Sequence, residues 1–463
     1  MHATETVKAA KDQLGAVKDF RRWVRGSTMP LPEHESRKVT DLCDDVANYE
    51  PRLDAPTCIG SAFTIFERVA GRPMPYWLEH PLLWMRRPFS RRRRTARKAP
   101  DCHDVPTEGD ANPHAFARDF RLFDGLSLIY GGKFRGSVVI NYTLAVIASG
   151  TLIFSLTIGH SPPPFISDLL DVLRDLRERL PFEWARHVAD QWPVSASIEL
   201  VCLTVIGIIY TTGATPEVDE YRCSYAPRWV WQRWHQRWLE YRLLAERFRY
   251  VDLLLPLGKH EAEAVAIAPV GEASSMWHQR YFEWRIGHAA AAKWTVLQYR
   301  DNALAVMIAQ ERYHASNSHK RGAIAERLHV LASCLFVAGI VVCLAEMFIE
   351  FGAEELQPRA CIAPNHMRDA VIFFAALFPI VSAAIHGILA TTEYTKVADN
   401  SGETAEAIHG LVERLKKIPA GMEPANPTSL EPMRDTVLEF ATLAINEATG
   451  WRAMLRDKNV PLA

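Results

Sequence analysis

One stretch of the sequence is long and apolar enough to cross a lipid bilayer as a helix. Val138 to Gly159 (VVINYTLAVIASGTLIFSLTIG) contains no charged residue over 22 positions. At a rise of about 1.5 Å per residue, a helix of this length matches the thickness of the hydrocarbon core. Lipid offers no hydrogen bonds to the backbone, so such a segment must satisfy its own peptide groups as a helix. The sequence therefore predicts an all-α membrane protein.

Three further apolar stretches predict additional crossings. They are Ile198–Ala214, Leu328–Ile349 and Ala370–Thr391. The first is short enough to be a buried core helix instead, but an even number of crossings agrees better with the distribution of charge. Pro379 predicts a kink in the last stretch. We therefore expect four transmembrane helices in two hairpins with long cytoplasmic helical extensions.

Basic residues predict the orientation of these helices. Twelve Lys and Arg lie between His80 and Gly136, and sixteen lie between Thr215 and Arg327. The outer segments His160–Ser197 and Glu350–Asp369 have only four and two. Since basic loops stay in the cytoplasm, this pattern predicts a multi-pass membrane protein with both termini cytoplasmic.

An arginine block precedes the first apolar stretch. It consists of Arg91, Arg92, Arg93 and Arg94. Such a block could contact nucleic acid or direct localisation. A formal net charge of -1 argues against general attraction to nucleic acid. We therefore interpret the block as a determinant of topology that contacts anionic lipid, and we expect no specific nucleic-acid partner.

The chain divides into five predicted regions. They are an Arg-rich and partly loop-like N-terminal cytoplasmic region (1–115), the first two-span hairpin with an outer amphipathic helix (116–214), a cytoplasmic helical region (215–327), the second two-span hairpin (328–391) and cytoplasmic C-terminal helices (392–463). Helical periodicity predicts Trp229–Tyr250, Ser274–Arg327, Thr404–Lys417, Leu430–Leu455 and, in the outer segment, Ile166–Trp192. No proline occurs between Trp277 and Ile324, so one helix could run unbroken from there into the third span.

No known catalytic pattern occurs in the sequence. It contains no HExxH, no GxSxG, no P-loop and no kinase signature, and its eight cysteines form no CxxC pair. His314 and His319 are five residues apart with cationic neighbours, which is unfavourable for metal binding. The sequence thus predicts no enzyme, no metal and no cofactor.

A charged and aromatic segment is the candidate cytoplasmic interaction network. It contains Trp238, Glu240, Tyr241, Arg242, Glu246 and Arg247. Arg242 and Glu246 are four residues apart, which predicts a helical ion pair, and the other charges could pair with neighbouring helices. A dense aromatic set overlaps this segment and could stack nucleic-acid bases: Trp229, Trp231, Trp234, Trp238 and Tyr241. Its helical spacing favours a core seam or a membrane-interface belt instead.

Two ionisable residues lie within the second predicted hairpin. Glu346 and His386 are candidate intramembrane polar groups, since charge in the apolar core is costly unless it faces a partner or water. If several copies assemble, the two could line a polar path. Alternatively, Glu346 lies at the outer interface and His386 forms a hydrogen bond within the helix bundle.

Four segments together resemble a family of bacterial membrane proteins. They are Tyr130–Tyr142 (YGGKFRGSVVINY), Trp238–Arg249 (WLEYRLLAERFR), Tyr313 with His314 and Asn317, and Glu447–Arg452 (EATGWR). From Phe116 onward the chain is similar to proteins related to the SLATT domain, the SMODS and SLOG-associating two-transmembrane effector. The resemblance implies a membrane effector of prokaryotic nucleotide-signalling or conflict systems, whose hairpin forms pores or damages the membrane.

The resemblance also shapes the expected partners. Longer proteins of this type carry an N-terminal nucleotide-binding domain of the SLOG or TIR type. The first 115 residues here have no phosphate loop, so we expect a separate nucleotide-sensing protein. The leading hypothesis is a homo-oligomeric, pore-forming effector in antiviral defence that acts on the lipid bilayer. A regulated ion channel or transporter, and a membrane-anchored scaffold, are the alternatives.

Overall fold

A computed structural model shows a helical protein. It describes residues 2–27, 31–47, 49, 58–70, 116–157, 194–213, 232–258, 276–287, 294–355, 365–418 and 430–455. Within these ranges the regular structure is helical and includes no strand. The predicted all-α class is therefore confirmed for the described part of the chain.

The helices follow one another in this order: α1 (His2–Gly26), α2 (Glu33–Ala47), α3 (Cys58–Ala70), α4 (Ala117–Thr157), α5 (Val194–Gly213), α6 (Trp234–Leu254), α7 (Trp277–Gly287), α8 (Val296–Glu355), α9 (Asn365–Thr392), α10 (Tyr394–Lys417) and α11 (Glu431–Leu455). A short 3₁₀ turn, Leu255–Leu257, extends α6. Helix α11 matches the predicted segment Leu430–Leu455 closely. Helix α10 ends at Lys417 as predicted but begins ten residues before the predicted start at Thr404.

Within the described residues, three helical stretches are long and apolar enough to cross a membrane. They are Ala117–Ser155, Val296–Met347 and Asp369–Lys417. The second predicted crossing lies in α5, whose described apolar stretch, Ser197–Gly213, is shorter. Helix α5 packs along α4, while α9 packs along both α8 and α4. The membrane-compatible character of the chain thus rests on α4, α8 and the continuous pair of α9 and α10.

Two of the apolar helices continue far beyond their apolar parts. Helix α8 has 60 residues, which corresponds to about 90 Å, roughly three times the thickness of the hydrocarbon core. Helix α4 likewise begins at Ala117, well before the apolar stretch that starts at Val138. The sequence predicted the extension of α8 but placed the start of α4 within the first hairpin. We call the helical assembly outside the apolar stretches the body.

The predicted unbroken helix from Trp277 to Ile324 is wrong. Helix α7 ends at Gly287, and α8 begins only at Val296. A capping box defines the new start: the Gln298 N–H donates to Thr295 Oγ1 (3.2 Å), and the Thr295 N–H donates to Gln298 Oε1 (3.0 Å). This reciprocal pair satisfies backbone donors that a helix start leaves unpaired. The glycine and the TVLQ sequence together explain the break.

The N-terminal region contains more helix than its sequence suggested. Helices α1, α2 and α3 belong to the core of the body through buried side chains such as Phe20, Leu42 and Phe63. Phe20 packs edge-on against Tyr281 of α7, with ring centroids 5.1 Å apart. The region is thus an integral part of the body. Arg91–Arg94 and the predicted outer helix Ile166–Trp192 lie outside the described residues.

Helix α6 occupies the centre of the body. Fifteen of its 21 residues are buried, and it packs against α4 on one side and α11 on another. Phe248 stacks on Phe123 of α4 (5.7 Å between centroids), and Trp238 stacks on Phe134 (5.9 Å). The aromatic residues that are described on α6 therefore form a core seam.

Candidate functional site

Polar side chains of α6 are buried in three groups around the helix. We name them the Trp277 cluster (Glu35, Lys38, Glu240 and Trp277), the Asp45 cluster (Asp41, Asp45, Tyr130, Arg233, Arg237 and Tyr241) and the arginine pocket, which contains Arg135, Arg242 and Arg321. Buried polar groups are stable only when they are paired. The partners of each group therefore show which helices it joins.

The Trp277 cluster attaches the start of α7 to α2 and α6. The backbone N–H of Trp277 donates to Glu35 Oε2 (2.8 Å), and its indole Nε1–H donates to Glu240 Oε2 (3.0 Å). Lys38 lies between the two carboxylates, 2.7 Å from Glu35 and 3.0 Å from Glu240. Burial lowers the pKa of Lys38, but Glu240 and Glu35 outweigh it and raise that pKa above 10.5. The lysine thus stays charged and reduces the repulsion between the two carboxylates.

The Asp45 cluster joins α2, α4 and α6. Arg237 Nη1 donates to both oxygens of Asp45, at 2.8 and 3.0 Å, and to the hydroxyl of Tyr130 at 2.8 Å. Tyr130 donates to Asp45 Oδ1 (2.6 Å), and Tyr241 donates to Asp45 Oδ2. Burial raises the pKa of Asp45 above its ordinary value, although Arg237 and the two hydroxyls act in the opposite direction. One carboxylate thus accepts hydrogen bonds from two helices.

The contact between α2 and α6 has a matched register. Arg233 Nη2 lies 2.5 Å from Asp41 Oδ2, and Arg237 Nη1 lies 2.8 Å from Asp45 Oδ1. Both helices therefore present their charges four residues apart, one turn of helix. A shift of α2 by one turn would separate both pairs and would leave one aspartate and one arginine without a counterpart.

The structure shows where the six residues of the predicted network on α6 make their contacts. Arg242 pairs with Glu246 (2.5 Å) as its spacing indicated, and it also contacts Asp124 of α4 (3.1 Å). Glu240 and Tyr241 instead contact the separate clusters described above, and Arg247 lies over the ring of Phe282 (5.8 Å). The six residues thus do not form one network. They connect α6 to different neighbouring helices.

The arginine pocket lies between α4, α6, α8, α9, α10 and α11. Its cavity volume is about 180 Å³. The polar and aromatic lining residues are Ser127, Arg135, Trp238, Arg242, Tyr313, His314, Asn317, Arg321, Thr392 and Glu447. All four segments that carry the family resemblance contribute to this lining. Segments far apart in the sequence therefore meet at one site.

Arg135 has an unusual environment in this pocket. Its guanidinium lies over the rings of Phe63 (4.7 Å) and Trp238 (5.3 Å), and its Nε donates to the Gly131 carbonyl at 3.1 Å. Among the described residues, no carboxylate lies within ion-pair distance of it. Aromatic rings and a carbonyl thus hold this cation, and Glu67, the carboxylate that acts on it, does so from beyond ion-pair distance.

Arg321 is held on the other side of the same pocket. Its Nε donates to Asn317 Oδ1 (2.8 Å), and its Nη1 lies 3.7 Å from Glu67 Oε1, a loose ion pair. Asn317 in turn donates to Ser401 Oγ on α10 (2.8 Å). The arginine is therefore oriented mainly by an amide, and it lines the cavity.

The two candidate intramembrane groups do not meet. His386 is exposed, its Nδ1 lies 3.0 Å from the Ser382 carbonyl on the same helix, and its ring centroid is 5.8 Å from that of His329. Glu346 is half-buried and lies 17 residues beyond His329 on α8, which corresponds to about 25 Å. Almost the full thickness of a hydrocarbon core thus separates them.

Several residues of the site were missed by sequence reasoning. Lys38, Asp45, Asp124, Arg135 and Arg321 all lie outside the predicted network. The spacing of Asp41 and Asp45, which matches that of Arg233 and Arg237, is the signal that could have indicated the α2–α6 contact. Within the described ranges, no group of three or more metal-ligating side chains comes together.

Comparison with protein-family models, with curated proteins and with solved structures finds no match for this chain.

Proposed function

We propose that this chain is a homo-oligomeric membrane effector that permeabilises the inner membrane in a prokaryotic nucleotide-signalling or defence system. The observation that carries the proposal is the continuity of α4 and α8 from the body into their apolar stretches. A rigid helix transmits a displacement along its length. A change among the buried clusters would therefore move the apolar helices directly.

Buried polar side chains of the body hold α4 at several positions along its length. Asp119, Asp124 and Tyr130 are spaced along its first half and pair with Arg285, Arg242 and Arg237, respectively. Asp119 is completely buried and binds Arg285 through both carboxylate oxygens, at 3.1 and 2.5 Å. The body thus holds α4 through polar contacts whose geometry is specific. Such contacts are suited to having two alternative arrangements.

The proposed effector crosses the membrane four times in two hairpins, with both termini in the cytoplasm. Packing of α5 along α4 and of α9 along α8 supports this arrangement. On α8, a run of exposed apolar residues, including Phe336, Val337, Ile340, Val341 and Leu344, offers a face for lipid and for further copies. A resemblance to SLATT-related effectors supports the same function.

A change in the middle of α8 tests the proposal. Gly322→Pro removes a backbone hydrogen bond and kinks the helix between body and apolar stretch. Gly322→Ala is the matched control, since an added Cβ would lie 3.7 Å from Ala398 Cβ, an ordinary contact. We expect induced wild-type protein and the alanine variant to depolarise cells in a membrane-potential dye assay. The proline variant should reach the membrane and leave the potential unchanged.

The effector proposal has clear contrary outcomes. Unchanged potential and normal growth of cells that express the wild type, with and without phage challenge, would contradict it. Steady, selective ion flux from purified protein in liposomes without any trigger would favour a regulated channel or transporter.

Cysteine labelling of intact cells tests the proposed orientation. One variant carries Lys416→Cys, and the other carries a cysteine at a position in His160–Ser197. Only the outer position should react with a reagent that cannot cross the membrane.

A further inference from the structure

Two arginines of the arginine pocket lack the close carboxylate contacts that other arginines of the body make. Arg237, Arg242 and Arg285 each contact a carboxylate at 2.5 to 2.8 Å. Arg135 has no such contact within the described residues, and that of Arg321 is loose at 3.7 Å. Removing an unpaired charge from water is costly. Glu67 lies near both arginines but pairs closely with neither, so the pocket keeps cationic donors suited to a further anion.

A second polar group of the pocket also lacks a partner. His314 is 5% exposed and lines the cavity, and its Nδ1 has no hydrogen-bond partner among the described residues. This nitrogen is itself buried, so it reaches a ligand oxygen only when the ring turns toward the cavity. A neutral imidazole, which offers one donor and one acceptor, can then donate to that oxygen. The histidine thus adds an uncharged contact beside the arginines.

The chemistry of the donors favours a phosphate group. Guanidinium groups present planar pairs of N–H donors that match phosphate oxygens. Glu447 is the one carboxylate among the lining residues, and Arg242 is already paired with Glu246 and Asp124. The anion would therefore bind toward Arg135 and Arg321, away from Glu447.

The size and position of the pocket limit the ligand further. A volume of about 180 Å³ is below the roughly 300–1,000 Å³ of sites that enclose a whole drug-sized molecule. Arg135 lies three residues before the apolar stretch that begins at Val138, and Thr392 lies at the end of α9. The pocket is thus at the level where the body meets the membrane, and it has room for a phosphate head rather than for a complete nucleotide.

We propose that the arginine pocket binds a phosphate-bearing anion through Arg135, Arg321 and His314. Two sources share this chemistry: the headgroup of an anionic phospholipid, and a soluble polyphosphate or nucleotide whose remainder stays outside the cavity. The proposal goes beyond permeabilisation and does not depend on it. Binding without depolarisation would refute the effector function and leave this site intact.

Binding measurements on the full chain in nanodiscs test the site. In discs of phosphatidylcholine, calorimetric titration with pyrophosphate and with ATP examines soluble ligands. In a second arm, the thermal midpoint is compared between discs of phosphatidylcholine and discs that also contain cardiolipin. We expect saturable binding or an increased midpoint in one arm, and that arm identifies the source.

Variants assign the effect to the pocket. Arg135→Met and Arg321→Met should each weaken binding about tenfold to a hundredfold, or abolish the lipid-dependent shift. Lys320→Gln is the matched control, because this exposed lysine is adjacent to Arg321 but does not line the cavity. It should bind as the wild type does. Each variant is first checked for a monodisperse elution profile.

Three results would overturn the proposal. These are no saturable binding and no lipid-dependent shift in either arm, equal binding by the wild type and both methionine variants, or an equal loss in Lys320→Gln, which would indicate general charge attraction. If Arg135→Met does not fold, the binding of Arg321→Met and Asn317→Ala tests the site instead. Asn317 orients Arg321, so both variants should bind more weakly than the wild type.

Discussion

The body and the apolar helices of this protein differ in how they bury their side chains. In α6, fifteen of 21 residues are buried, among them Glu240, Glu246 and Arg247. In the most apolar window of α8, only 17% of the residues are buried within the chain. Water penalises exposed apolar groups and lipid does not, so the second region needs little internal packing. The structure of the body is therefore determined by contacts within the chain, whereas the arrangement of the apolar helices depends on what surrounds them.

Removing the cation of the Asp45 cluster should have the largest effect on the body. Arg237→Met leaves Asp45 buried without its main counter-charge, and breaking a buried pair costs about 3–5 kcal/mol. The control is Arg22→Met, whose partner Asp19 and own side chain are 56% and 79% exposed; it should cost at most about 1 kcal/mol. Thermal unfolding of the detergent-solubilised chain checks both. Similar effects of the two variants would show that buried polar pairs do not specify the body.

A close helix contact in the body should tolerate no added methyl group. A Cβ at Gly136 would lie 2.7 Å from the carbonyl carbon of Ile59 on α3, and still closer to its oxygen. Since neither backbone can yield easily, we expect Gly136→Ala to cost about 1–3 kcal/mol.

The control for Gly136 lies one turn earlier on the same helix. At Gly132 the nearest atom, Gly60 Cα, would be 3.7 Å from an added Cβ. Gly132→Ala should therefore stabilise α4 by up to about 1 kcal/mol through helix propensity. The two variants should shift the thermal midpoint in opposite directions. Equal shifts would mean that the contact between α3 and α4 is not tight.

Local features of this fold could be predicted from the sequence, but contacts between distant segments could not. Local patterns predicted the apolar part of α8, the amphipathic α11 and the ion pair between Arg242 and Glu246, because periodicity and i,i+4 spacing are visible within one segment. The pairing of Arg237 with Asp45 joins residues 192 positions apart, and no local signal indicates which helices become neighbours. The arginine pocket depends on six helices and was therefore not predictable as a site.

Sequence reasoning also missed the start of α8, although the signal for it lies within a few residues. Thr295 and Gln298 have the spacing of a capping box, but the absence of proline favoured a longer helix. Thr295→Ala should weaken the first turn by about 1 kcal/mol, whereas Thr295→Ser should keep the cap. Hydrogen exchange of the amides of residues 296–300 measures this effect. Unchanged exchange in the alanine variant would show that the neighbouring packing, not the cap, defines the start.

The Trp277 cluster should make the body sensitive to alkaline conditions. Because the folded-state pKa of Lys38 is raised, its stabilising charge is complete below the ordinary pKa of 10.5 and is lost as pH rises through the higher folded value. The thermal midpoint of the wild type should therefore fall above that pH, and the fall should be smaller in Lys38→Met. Lys320→Gln, an exposed control, should retain the wild-type fall. A slope in Lys38→Met equal to that of the wild type would contradict the assignment.

The smallest effect is expected on the exposed face of α8. Val337 and Ile340 are 56% and 46% exposed, so truncation removes contacts with lipid rather than with the chain. Val337→Ala and Ile340→Ala should each change the thermal midpoint in nanodiscs by the equivalent of less than about 0.5 kcal/mol. A loss above about 1 kcal/mol would show that protein covers this face, and a parallel change in oligomer size would identify that protein as a second copy. In that case the apolar helices would also be specified by packing, but between chains rather than within one.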